Sequence, residues 1–100
     1  MVHTVLATFK FKSVELKQEF LEIAHSENGI AKTRKWKGCV AIECYDMADD
    51  ETGVVIWQKW DNKDDHAAYF EMRKEEGLLD KIKETFSEPL TMTHLTNINV

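Results

Sequence analysis

The stretch GVVIWQKW, residues 53–60, constrains the fold more than any other part of this chain. Val54 and Ile56 take one face of a strand, and Val55 and Trp57 take the other. A strand that is apolar on both sides has to be covered on both sides. It runs straight into DNKDDHAAYFEMRKEEG, where Asp61 or Asn62 can cap a helix. At about 3.6 residues per turn, His66, Tyr69, Phe70 and Arg73 share one side of that helix. Asp64, Ala68, Glu71 and Glu75 fall on the far side, which suits water. An imidazole, a phenol and a guanidinium therefore point where core is expected, as in an apolar pocket with a few polar groups aimed into it.

The rest of the chain supplies the other elements. Residues 2–12 read as a strand with Val5, Ala7, Phe9 and Phe11 on one face and Thr4, Leu6, Thr8 and Lys10 on the other. Ser13 is a good N-cap for a helix with the stripe Leu16, Phe20, Ile23 and Ala24, ended by Asn28-Gly29. A connector over 30–38 leads to a strand at 39–46, in which Val40 and Ile42 oppose Cys39, Ala41 and Tyr45. The acidic stretch 47–53 reads as a hairpin loop before the strand at 54–60. Gly77 ends or bends the second long helix. A further helical run carries Leu78, Leu79, Ile82 and Phe86 until Pro89 stops it, and residues 90–99 close the sheet. The order β-α-β-β-α-β is the ferredoxin-like arrangement, an α+β fold with a four-stranded antiparallel sheet in one domain, 1–100.

Composition narrows the function classes. The chain has 43% apolar and 31% charged residues and a net charge of −5. It has no basic stripe for nucleic acid; the run Lys32, Arg34, Lys35, Lys37 is brief and interrupted by Trp36. The start MVHTVLATFKFK has neither a basic leader nor a long apolar run, so no signal peptide is expected, and no segment approaches the roughly 20 apolar residues that span a bilayer. Cys39 and Cys44 are expected on opposite sides of one strand, as reduced thiols of a cytoplasmic protein. The histidines at 3, 25, 66 and 94 lack ligand spacing, so no metal is expected, and His3 and His25 read as surface residues.

A homodimer is expected from the same apolar patterning. Helices on one side of a four-stranded sheet leave the other side bare. At about 25 cal/mol per Å2, an apolar sheet face left in water forgoes several kcal/mol, comparable to the stability of a small domain. A second copy is the natural cover.

Several segments together resemble a known family. They are TFKFK before a capped helix, the connector TRKWKGC, the strand ending QKW with the following DNKDDHAAYFEMRKEEG, and the closing SEPLTMTHL. This combination is similar to the antibiotic biosynthesis monooxygenase domain of the dimeric α+β barrel superfamily, over essentially the full chain. The resemblance implies a ferredoxin-like protomer whose sheet joins a partner's, and a ligand cavity between sheet and helices in each protomer. Members of the family include oxygenases that act on aromatic or quinol substrates without metal or flavin, and others that degrade haem. The haem-degrading branch carries an Asn on the first strand, a Trp ending the third strand and a His on the next helix. Trp60 fits the Trp, but the first strand has no Asn, and Phe70 stands near where the His would fall, with His66 one turn early. The set His66, Tyr69 and Arg73 looks more like the quinol-monooxygenase branch.

The expected activity is oxidation of a small phenolic or quinol-type molecule by dioxygen, without a cofactor. Such chemistry needs a base, donors for the developing anion and a dry cavity. His66 would be the base, since an ordinary imidazole titrates near neutrality. Tyr69 and Arg73 would orient and stabilise the anion. Phe9 and Phe70, with Trp60 or Trp57, would clasp the ring; only one Trp can face it, because they lie three apart on a strand. His94 enters either the cavity or the dimer seam. The plainer roles stay open: His66 against solvent or a strand end, Tyr69 as core, and Arg73 covering the core with its stem or pairing with Glu76. Two other functions also stay open, a non-catalytic small-molecule-binding dimer and a haem-binding protein.

Overall fold

The computed structural model describes residues 2–100. Its elements are β1 (His3–Phe11), α1 (Val14–His25), α2 (Ile30–Arg34), β2 (Cys39–Met47), β3 (Asp50–Trp60), α3 (Lys63–Glu75), α4 (Leu78–Ile82), a 3-10 turn (Lys83–Thr85) and β4 (Phe86–Leu95). The four strands form one antiparallel sheet in the order β2-β3-β1-β4, the ferredoxin-like arrangement.

Period-two patterning decides which face the helices cover. Val5, Ala7, Phe9 and Phe11 of β1 stand beside Val54, Ile56, Gln58 and Trp60 of β3, and all are buried. Phe20 of α1 and Ile82 of α4 pack down on this layer, and Phe9, Phe11, Phe20 and Phe86 meet ring to ring. Tyr69 of α3 joins Trp60 and Val5 in a second, smaller cluster. The opposite face carries Leu6, Val55 and Trp57, flanked by Tyr45 and Leu95.

Local chemistry sets the element ends. Ser13 Oγ accepts from Leu16 N to cap α1, and Asn62 Oδ1 accepts from Asp65 N to cap α3. α1 ends at His25, with Ser26 rather than Asn28-Gly29 closing it. Gly29 instead begins α2 at a negative φ. It must be glycine because a Cβ there would sit 2.3 Å from the carbonyl oxygen of Ala24. Gly77 takes φ +80 and turns the chain sharply from α3 into α4. The 47–53 loop is shorter than expected, because β3 already begins at Asp50, which pairs with Met47. Pro89 does not stop the helical run, which ends before Phe86. It lies within the edge strand β4, where the register against β1 shifts between Thr8 and Lys10, and no ladder bond is required of it.

A bulge in β2 changes two further expectations. The register slips between Cys39 and Ala41, so Cys39 lies opposite Trp60 and Cys44 opposite Ile56. Both cysteines therefore face the helical side, and both are free thiols. Val40, at the slip, is 52% exposed and does not share the buried position of Ile42.

Candidate functional site

A cavity of about 100 Å3 lies between the sheet and the helices. Its floor is Ala7, Phe9, Ile42, Ile56, Gln58, Leu90 and Met92, and its roof includes Phe20, Ile82, Tyr69 and Phe70. An apolar cavity of about 150 Å3 holds a benzene ring, so this one is near the size of a single small ring. Of the residues singled out in the sequence, Tyr69, Arg73, Phe70 and Phe9 reach this wall. Neither an imidazole nor a carboxylate lines it.

Arg73 is placed there as a clamp. Its Nε donates to Tyr69 Oη at 2.9 Å. One terminal nitrogen donates to the Asn28 carbonyl and to Glu76 Oε1 at 2.7 and 3.0 Å, and the other to the Gly29 carbonyl and Thr33 Oγ1 at 2.9 and 3.1 Å. A guanidinium has about five N–H donors, so none is left for a substrate. The expectation that Arg73 orients an anion is replaced by a structural role: it ties α3 to the α1–α2 connection. Tyr69 Oη shares the same network, 2.7 Å from Thr33 Oγ1. Thr33 is itself 1% exposed, and no periodicity in the connector announces it.

His66 lies behind the wall rather than on it. It is 4% exposed and packs against Trp60, Phe70, His3 and His94, with ring centroids 5.6, 6.2, 6.3 and 5.8 Å away. Its Nε2 is buried with no hydrogen-bond partner among the described residues. Burial first, and then His94 and His3, push its pKa down to about 4. At neutral pH it is an uncharged and weak base, not the near-neutral one expected. His3 is not a plain surface residue: its Nε2 lies 2.8 Å from His94 Nδ1, and burial followed by His94 and Lys63 lowers its pKa. His94 thus belongs to this histidine cluster at the sheet end and not to the cavity.

The two tryptophans separate as strand geometry requires. Trp57 lies on the open sheet face with the Lys59 ammonium 5.5 Å above its ring, so it is outside the cavity. Trp60 is fully buried but stands behind the wall, and its Nε1 donates to Gln58 Oε1 at 3.0 Å. Gln58 is 5% exposed and does line the cavity. Sequence reasoning missed it, although a signal was present: in the buried alternation Val54, Ile56, Gln58, Trp60 it is the one polar residue.

No protein-family model and no curated protein matches the chain. Solved structures do. Rv0793 from Mycobacterium tuberculosis is 16% identical with TM-score 0.83, over 100% of this chain and 98% of its own. A monooxygenase from the gene ActVA-Orf6 of Streptomyces coelicolor, in complex with the ligand nanaomycin D, is 16% identical with TM-score 0.75, over 98% and 88%. SnoaB, a cofactor-independent oxygenase from Streptomyces nogalater, is 13% identical with TM-score 0.73, over 99% and 95%. Another structure of the same shape is named an antibiotic biosynthesis monooxygenase; it is 15% identical with TM-score 0.79, over 98% of this chain and 99% of its own. The chain has the fold of that group. No helix among the described residues is long and apolar enough to cross a membrane.

Proposed function

We propose that this protein is a cofactor-independent monooxygenase that oxidises a small phenolic or quinol-type molecule with dioxygen, acting as a homodimer in the cytoplasm. The observation that carries the proposal is the single-ring-sized apolar chamber beneath the helices, with the amide of Gln58 and the hydroxyl of Tyr69 on its wall. The fold shared with a cofactor-independent oxygenase supports the reaction class.

The chemistry balances with the substrate as the only reductant. The phenol gives its proton to solvent water as it binds; the phenolate adds dioxygen at a ring carbon that bears hydrogen, and the peroxide oxygen takes a proton back from solvent. The hydroperoxide then loses water, leaving a second ring carbonyl. Both oxygen atoms are accounted for, one in the quinone and one in water. Phe9 and Phe70 would hold the ring, and the apolar wall would keep bulk water from the anion. The uncovered face carrying Leu6, Val55 and Trp57 supports the dimer, and two free thiols suit a reducing compartment.

A second reading, a non-catalytic small-molecule-binding dimer, is favoured by one observation: no side chain on the wall is a free base. Haem is not supported, because no imidazole lines the chamber and the cavity is near single-ring size. Oxygen uptake measured with a panel of simple phenols and hydroquinones separates the two readings. The oxygenase consumes about one dioxygen per quinone formed without releasing hydrogen peroxide, above the rate without protein and unchanged by chelators. Binding without uptake would leave only the second reading.

A further inference from the structure

We infer that Gln58 is an oxyanion donor: it receives the oxygen of a phenolic ligand as the phenolate, so that binding itself favours ionisation and no protein base is needed. The inference rests on the chamber being the substrate site. Its starting point is the bond from Trp60 Nε1 to Gln58 Oε1 at 3.0 Å. An indole N–H can only donate, so the atom facing it must be the amide oxygen. That fixes which way the amide points. Trp60 is fully buried, packed with Val5 and Tyr69, and holds the amide in this orientation.

The Gln58 amide nitrogen is consequently turned away from Trp60. Neither of its N–H groups has an acceptor among the described residues; Gln58 lines the chamber, and its amide nitrogen, unlike His66 Nε2, is not shut off from open space. The other polar groups of the wall satisfy one another: Tyr69, Thr33 and Arg73 are joined by bonds of 2.7, 2.9 and 3.1 Å. The chamber therefore offers a fixed donor and, in the absence of any carboxylate or imidazole, no free base. A phenolate brings lone pairs to that donor. A neutral phenol brings in addition a proton with nowhere to go, and an amine brings only further donors. Hydrogen bonds to the charged form lower a pKa, so the bound phenol ionises more readily than the free one.

The test uses 4-nitrophenol, whose phenol and phenolate forms absorb at different wavelengths, titrated from pH 5 to 9 with the whole protein. The bound ligand is expected to ionise about one pH unit or more below the free ligand. Gln58→Met keeps the length but cannot donate; it should bind the phenolate about 10- to 100-fold more weakly and abolish the shift. Gln58→Glu offers acceptors only and should reverse the preference toward the neutral phenol. If Gln58→Met binds the phenolate as tightly as the wild type, the assignment fails. A wild-type complex with an unshifted or raised ligand pKa, or with no bound nitrophenol, overturns it without any variant. A lowered ligand pKa without oxygen uptake with any phenol removes the oxygenase reading and leaves the donor assignment standing.

Discussion

Arg73 shows how far helical periodicity carries and where it stops. Periodicity places Arg73, Tyr69 and His66 on the inner side of α3, and all three are buried there. It does not say what each will meet, because partners come from the α1–α2 connection and from β4, far away in sequence. Arg73 binds two backbone carbonyls, two hydroxyls and Glu76, so its loss strands several buried acceptors at once. Arg73→Ala is expected to cost about 3 kcal/mol of stability, read from urea unfolding. An unchanged midpoint would return Arg73 to the role of a free substrate contact. His66 gives a second prediction, with a defined sign. Its pKa falls from 6.5 to about 4 on folding. Between those values the unfolded chain binds a proton that the folded one does not. Stability is therefore full above pH 6.5, falls as pH drops through the window, and levels off below about 4. The loss is on the order of 3 kcal/mol. Urea midpoints at neutral and mildly acid pH should show it in the wild type, and His66→Phe should remove most of it.

Element types were legible in the sequence, and several boundaries were not. Alternation in β1 and β3 and the Ser13 cap are local signals that the structure uses as read, and of the two candidate caps Asp61 and Asn62 it uses Asn62. The bulge in β2 is set by pairing with β3, so sequence alone put Cys39 and Cys44 on opposite faces. Gln58 lay in plain view within a buried alternation but reads as an exception until its partner Trp60 is seen. The two glycines that bracket the roof also differ in kind. Gly77 needs its positive φ but has open space around it, whereas Gly29 has a negative φ and backbone atoms at 2.3 Å from a would-be Cβ. Gly77→Ala should cost about 1 to 2 kcal/mol from the left-handed backbone alone. Gly29→Ala should cost more, because the α1 carbonyls cannot move aside cheaply. Thermal unfolding of the two variants side by side checks the order, and the reverse order would contradict it.

At the scale of the molecule, all the helices crowd one side of the sheet and leave Leu6, Val55 and Trp57 uncovered. The apolar character of both faces of β3 was readable from residues 53–60, which is why a second copy was expected. The wild type should run as a dimer at micromolar concentration, and Trp57→Glu, which sets a charge in the middle of the bare face, should shift it toward a folded monomer. A wild type that sediments as a monomer would contradict the dimer. The claim on which the functional account rests is that the chamber beneath the helices, and no other surface, receives the ligand. Its most direct test is a nuclear magnetic resonance titration of the labelled protein with a small phenol, following the side-chain amide of Gln58 and the methyl groups of Ala7, Ile56, Leu90 and Met92. The account predicts saturable shifts at these groups together. Shifts confined to His3, His66 and His94 or to the Trp57 face would contradict it.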